Sequence, residues 1–226
     1  MDEQDKWFKL MTTPEELHPD LVPYLREMNF GGVGVSAPLV QDIPHRPGFA
    51  GLVNYQYAQK QAAAAEFERQ GNVAGFVFMH ERPWRFEAMV DYFDRHPDIP
   101  GKVFWEEVGH VWTDSENIYE NLYEWKELWN RTKPGKRFAM RANERKKLAA
   151  LPDTVTVYRG VSHEGDDDGM SWTLSREKAE WFAKRWSDGN PRVFSGTARK
   201  EHIHAVFNGR REDEVVINRV LGITEL

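Results

Sequence analysis

The change of pattern at Pro152 constrains the fold of this chain more than any other feature of its sequence. Before Pro152, good helix formers and apolar residues at helical spacing favour helices, predicted over 55–70, 85–96, 114–129 and 141–151. After Pro152, short apolar runs bounded by turn residues predict strands over 154–160, 169–173, 192–198, 201–207 and 214–220, with one inserted helix capped by Ser175. Helices followed by mainly antiparallel strands indicate the α+β class.

The predicted helix over 114–129 has the clearest start signal. Thr113 and Glu116, in the stretch "TDSE", have the spacing of a capping box. The residues that follow form one apolar stripe, at Ile118, Leu122, Trp125 and Trp129.

The chain has 226 residues, which suits either one domain or one domain with a sizeable extension. Turn signals without sustained periodicity, as in "NFGGVGVSAPLVQDIPHRPGFAG", predict an irregular N-terminal segment over 1–55. The helical part of the domain is predicted over 56–150, and a β-rich core over 151–226.

Charge and cysteine content exclude several classes of function. Thirty basic and 36 acidic residues give a net charge of −6, so any contact with nucleic acid would have to come from a local basic patch. The chain has no cysteine, so disulfides, thiolate metal sites and cysteine nucleophiles are excluded. The polar, acidic opening and the short apolar runs predict a cytoplasmic protein with no membrane partner.

Two glutamates precede the apolar run Val215-Val216-Ile217. Strand alternation would place Glu212 and Glu214 on one face, roughly 6.6 Å apart along the strand. Two like charges that point the same way are tolerated at a solvated strand start, which is the commoner explanation of such a pair. Inside a pocket they are costly, so there they would indicate a functional site.

Other polar residues precede this pair on predicted strands. Arg159 ends a strand in "VYRG", and Ser171 and Thr173 flank Trp172 in "MSWT". Each feature alone is most simply an ordinary strand or surface residue. Together with the glutamate pair, and in this order along the chain, they indicate a shared site.

In these motifs the chain resembles the ADP-ribosyltransferases of the arginine–serine–glutamate class, which include bacterial toxins and phage-encoded transferases. The resemblance covers mainly residues 150–220. It departs from the family at Ser171-Trp172-Thr173, where many relatives have Ser-Thr-Ser, although both terminal hydroxyls are kept. The resemblance implies two packed, mainly antiparallel sheets with NAD bound in the cleft between them.

The resemblance also implies roles for the glutamate pair. Glu214 would be the catalytic carboxylate that stabilises an oxocarbenium-like transition state and holds a ribose hydroxyl of NAD. Glu212 would orient or deprotonate the acceptor. A glutamate at the first position implies an arginine side chain of a target protein as acceptor, and relatives with nucleic-acid acceptors keep that alternative open.

The remaining implied roles concern NAD, which is expected as a substrate. Arg159 would bind its phosphate or ribose oxygens, and Gly160 would leave its backbone free to meet the nicotinamide carboxamide. Ser171 and Thr173 share a predicted strand face, and the serine position would brace the nicotinamide ribose and the catalytic glutamate by hydrogen bonds. Trp181 is the candidate for stacking on nicotinamide, and Phe182 is predicted to be structural.

Two other functions stay open at this point. One is NAD hydrolysis with water as acceptor, and the other is a non-catalytic interaction module on the same fold.

No metal is expected. His202 and His204 share a predicted strand face, but the sequence shows no third ligand nearby, so we predict that both are exposed strand residues. The acidic run over 163–169 lacks the closing glutamate of a calcium loop and is predicted to be a solvated connection.

Overall fold

A computed structural model of the chain describes residues 3–29, 31–116, 118–162, 169–185, 189–209 and 211–226. It confirms the α+β class, because the described residues form helices and two antiparallel sheets. The chain divides into two compact units, Met1–Asp98 and Ile99–Leu226. Most of the acidic run over 163–169 lies outside the described residues.

The first unit combines helices with a three-stranded antiparallel sheet of order β1-β2-β3. Its strands are β1 (Leu25–Glu27), β2 (Val33–Ala37) and β3 (Val40–Pro44). Its helices are α1 (Glu3–Thr12), α2 (Gly51–Arg69), α3 (Val73–Met79) and α4 (Arg85–Arg95), with 3-10 turns at Pro19–Tyr24 and Arg82–Trp84. Residues of the sheet belong to a buried apolar cluster, which is formed by Leu21, Val35, Ala37, Val40 and Val53.

The prediction of an irregular segment over 1–55 was therefore wrong. The turn residues in this segment connect short elements that were not recognised. Gly31 and Gly32 have φ values of +88° and +83° and lie in the turn between β1 and β2. Strands of three to five residues are too short to show clear alternation between their turns.

The second unit begins with helices. These are α5 (Gly101–Asp114), α6 (Leu122–Asn130) and α7 (Ala142–Ala150), with 3-10 turns at Ile118–Asn121 and Lys136–Ala139. Four tryptophan side chains of α5 and α6 form the centre of their packing, with ring centroids 5.0 to 5.7 Å apart. They are Trp105, Trp112, Trp125 and Trp129, each almost completely buried.

The capping box predicted at Thr113 and Glu116 was wrong. Thr113 lies in the last turn of α5, where its hydroxyl donates to the carbonyls of Gly109 and His110, at 2.9 and 3.0 Å. Helix α5 itself was not predicted. The predicted apolar stripe is confirmed as buried at Trp125 and Trp129. Ile118 and Leu122 are only half-buried.

The second sheet has six strands in the order β7-β8-β5-β4-β6-β9, and all its neighbours are antiparallel. The strands are β4 (Thr154–Val161), β5 (Ser171–Thr173), β6 (Arg192–Arg199), β7 (Ile203–Phe207), β8 (Glu214–Ile217) and β9 (Leu221–Glu225). Helix α8 (Arg176–Ala183) follows β5, and the Ser175 side chain caps it by accepting from the Lys178 amide. The five predicted strands and the inserted helix are thus confirmed.

Helices α5 to α7 belong to the second unit, whose first residue is Ile99, and they pack on its strands. The Trp129 ring lies 6.4 Å from the Phe207 ring, and the Val206 amide donates to the Met140 sulfur at 3.3 Å. Among the described residues, none of the helices has both the length and the apolar character required to cross a bilayer.

Candidate active site

A cleft of about 560 Å³ lies in the second unit and is lined by residues of the six-stranded sheet, of α8 and of the segment that follows α5. This volume is within the range of pockets that bind small molecules and cofactors. The described residues that line the cleft all belong to the second unit. Its charged lining residues are Glu116, Glu120, Arg159, Arg185, Glu212 and Glu214.

Glu214 is the first residue of β8, between strands β5 and β7. It stands opposite Thr173 on one side and Phe207 on the other. Its Oε1 atom accepts two hydrogen bonds, from Ser171 Oγ at 2.6 Å and from Trp112 Nε1 at 3.0 Å. Two donors on one oxygen fix the orientation of the carboxylate toward the cleft.

Ser171 also contacts Arg159. The Arg159 Nη1 atom donates to the Ser171 carbonyl at 2.6 Å. The contact follows from the strand register, because β4 pairs with β5 at Tyr158 and Thr173, immediately before Arg159. Arg159, Ser171 and Glu214 therefore form one continuous hydrogen-bonded chain on the wall of the cleft.

The indole of Trp112 was not predicted to be part of the site. Its ring is 2% exposed and packs edge-on against Trp125 and Trp129. Helix α5 thus delivers a hydrogen-bond donor from the tryptophan cluster to a carboxylate 102 residues away in sequence. Apolar spacing along α5 would indicate only a buried position, so the sequence carries no signal for this contact.

Glu212 lines the same cleft as Glu214, but the predicted reason was wrong. Strand β8 begins at Glu214, and the residues on either side of Glu212 have left-handed backbones, with φ of +58° at Arg211 and +51° at Asp213. Alternation along a strand therefore does not apply to Glu212. A tight turn brings the two glutamates to one cleft.

Thr173 is buried, and its hydroxyl is engaged within the protein. It donates to the Glu212 carbonyl at 2.6 Å and accepts from the Ser175 amide at 3.1 Å. These two bonds fasten the turn before Glu214 to the start of α8. The serine and the threonine of "SWT" thus have different contacts: Ser171 holds the carboxylate of Glu214, and Thr173 holds the backbone of Glu212.

Gly160 lines the cleft and also allows α8 to lie close to β4. A Cβ atom at this position would be 1.8 Å from the Ala179 carbonyl oxygen and 2.7 Å from the Ala183 amide nitrogen. Ala179 and Ala183 are fully buried at this contact. Only glycine permits this approach of strand and helix.

The positions of Trp181 and Phe182 differ from the predicted ones. Of these two residues of α8, Phe182 lines the cleft, whereas Trp181 is 55% exposed and does not. The reason is that Ala179 and Ala183, and not Phe182, form the face of α8 that packs on β4. Trp181 contacts Arg185 instead, whose guanidinium carbon lies 5.8 Å from the ring centroid. Arg185 itself lines the cleft and was not predicted to do so.

The two histidines are not a pair of exposed strand residues. His202 ends a 3-10 turn, and His204 is half-buried in β7, stacked on Trp129 with ring centroids 5.9 Å apart. Burial, with a smaller contribution from the charge of Lys136, lowers the pKa of His204 to about 4. In the part of the chain that the structure describes, no three His, Asp or Glu side chains are grouped so that they could hold a metal ion.

No known protein-family model matches the chain, and neither a curated protein nor a solved structure shows significant similarity to it. An assignment of function therefore depends on the geometry of the cleft and on the motif resemblance.

Proposed function

We propose that the protein is a mono-ADP-ribosyltransferase that moves ADP-ribose from NAD to a target macromolecule, with an arginine side chain of a protein as acceptor. One observation carries the proposal. Arg159, Ser171 and Glu214, which are far apart in sequence, form a connected chain on the wall of one cleft. The order and the residue types are those of the arginine–serine–glutamate transferases.

The two cations among the six charged residues of the cleft lining suit NAD as substrate. The pyrophosphate of NAD is anionic, and the guanidinium groups of Arg159 and Arg185 both line the cleft. Guanidinium groups bind phosphate oxygens through paired, charge-assisted hydrogen bonds. Phe182 gives the same wall an aromatic surface on which the nicotinamide ring can pack.

The glutamates then have distinct tasks. In the reaction, the bond between C1′ of the ribose and the nicotinamide nitrogen breaks, and nicotinamide leaves with the bonding electron pair. The carboxylate of Glu214, held by Ser171 and Trp112, stabilises the positive charge that develops on the ribose. The acceptor nitrogen forms the new bond to C1′, and Glu212 takes the proton that this nitrogen loses.

The substitution Glu212→Ala distinguishes the transfer of ADP-ribose to a target from the hydrolysis of NAD. We expect the wild-type protein, incubated with labelled NAD and cell lysate, to label macromolecules and to release nicotinamide. In Glu212→Ala, labelling should fall by about 100-fold, the usual contribution of a general base, while release of nicotinamide to water continues. Mass spectrometry of the labelled lysate identifies the target and the modified side chain. Equal labelling by both proteins would contradict the role of Glu212. Release of nicotinamide with no labelling by the wild-type protein would favour NAD hydrolysis.

Calorimetry with NAD distinguishes the enzyme from a non-catalytic module. The wild-type protein should bind NAD, and Arg159→Ala should weaken binding by about 10-fold to 100-fold, since a hydrogen bond to a charged group contributes about 1.5–3 kcal/mol. Arg199→Ala is the matched control, because Arg199 is an exposed residue at the end of β6. A wild-type protein that takes up no NAD would exclude the proposed reaction.

A further inference from the structure

The connection between β7 and β8 carries Glu212, and its described residues are 208–209 and 211–213. A left-handed backbone is uncommon for an arginine such as Arg211, although aspartates such as Asp213 adopt it more readily, and contacts outside the turn help to stabilise this conformation. Thr173 supplies one of them, at the Glu212 carbonyl. Two further contacts come from helix α7, which does not line the cleft.

Glu144 of α7 holds the start of the connection. Its side chain is almost completely buried, and its Oε1 atom accepts from the Asn208 amide at 3.0 Å. Its Oε2 atom accepts from the Arg141 amide at 2.7 Å, which caps the N-terminus of α7. The same carboxylate therefore joins the first turn of the helix to the first residue after β7.

Lys147 of α7 holds the end of the connection. Its ammonium group forms an ion pair with the carboxylate of Asp213, and both side chains are about one-third exposed. Asp213 is also held through its carbonyl, which accepts from the Leu174 amide at 3.0 Å. Glu212 thus lies directly before a residue that is fixed on two sides.

Glu144 and Lys147 are three residues apart, so they lie on one face of α7. One helix face therefore holds both ends of the turn that presents Glu212. Because a helix is rigid and the two contacts are separated along it, they define both the position and the orientation of the turn. Neither residue has a place in the motif resemblance described above.

We propose that Glu144 and Lys147 are positioning residues that place Glu212 against the acceptor, and that they set how much ADP-ribose goes to the acceptor instead of to water. This inference rests on the proposed function. Glu214 is held by Ser171 and Trp112, which α7 does not provide. Loss of the α7 contacts should therefore impair the acceptor step and leave cleavage of NAD intact.

The substitution Lys147→Met tests the inference, since methionine keeps most of the side-chain volume and removes the charge. With labelled NAD and agmatine, a small guanidine, as the acceptor probe, we expect transfer to fall by up to about 100-fold while hydrolysis changes little, because small misplacements of a reacting group have effects of that size. Lys147→Arg, which can pair with Asp213, should restore transfer. Lys146→Met, at the exposed neighbouring lysine, should behave as the wild type.

Hydrogen exchange provides a readout that does not depend on activity. In Lys147→Met, the amides of Asn208, Arg211 and Leu174 should exchange faster than in the wild type, and Lys147→Arg should restore their protection. Unchanged exchange, or an equal loss of transfer and hydrolysis, would overturn the inference. A wild-type protein that releases no nicotinamide from NAD would instead overturn the proposed function, and with it the role assigned to α7 in the acceptor step.

Discussion

Replacement of Glu214 by glutamine is expected to reduce NAD turnover by about 100-fold to 1,000-fold, the range seen when a preorganised electrostatic contact to a transition state is removed. The amide carries no charge, so it cannot stabilise the cation that develops on the ribose. It keeps an oxygen that can accept from Ser171 and Trp112, so the packing around it should be preserved. Nicotinamide release and label transfer measure the effect, and both should fall by the same factor.

The control for this experiment is Glu225→Gln. Glu225 is an exposed glutamate of β9 in the same sheet, so the change in net charge is matched. Its activity should equal that of the wild type. Thermal unfolding of all three proteins establishes that they are folded. Full activity in Glu214→Gln would contradict the proposal that the Glu214 carboxylate stabilises the transition state.

The substitution Gly160→Ala should destabilise the folded protein. The added Cβ would be 1.8 Å from the Ala179 carbonyl oxygen, and this backbone atom cannot rotate away as a side chain would. We expect the free energy of unfolding to fall by about 1–3 kcal/mol, as for other overpacked sites. Displacement of α8 should also weaken NAD binding, because Phe182 and Arg185 would move with it.

Denaturant unfolding followed by circular dichroism measures this change. Gly209→Ala is the matched stability control, because the nearest atom to its added Cβ would be 3.9 Å away, at Arg141 Nη1. Its effect should stay within about 0.5 kcal/mol, as for surface substitutions that meet no special feature. If both variants unfold at the same denaturant concentration, the close contact between β4 and α8 does not require glycine.

Five of the six strands of the second unit could be predicted because they depend on local sequence, whereas β9 was not predicted. Apolar runs of four to eight residues bounded by turn residues identify strands without knowledge of their partners. Arg159, Ser171 and Glu214 were predicted as one site from order and residue type, and the structure brings them into contact. Their predicted functions remain to be tested by the experiments above.

Other features depend on partners distant in sequence and could not be predicted. Helix α5 has no side-chain cap at its start, and its Gly109 suggests a break, although glycine is needed there because a Cβ would be 2.0 Å from the Ala139 carbonyl oxygen. The cleft wall formed by Phe182 was missed because helical periodicity does not say which side of an apolar face stays uncovered. Strand alternation was wrongly applied to Glu212 because residues with left-handed backbones have no distinct sequence pattern.

The contact between Trp112 and Glu214 has a consequence for the stage of folding at which the carboxylate acquires its final orientation. The β5–β8 pairing by itself can bring Ser171 to the carboxylate, but the indole arrives only when the helices have closed over the sheet. A chain whose strands have paired before α5 docks therefore holds the Glu214 carboxylate through Ser171 alone. The carboxylate acquires both of these donors only when the helices and the sheet of the second unit have come together, so its final orientation depends on tertiary packing as well as on strand pairing.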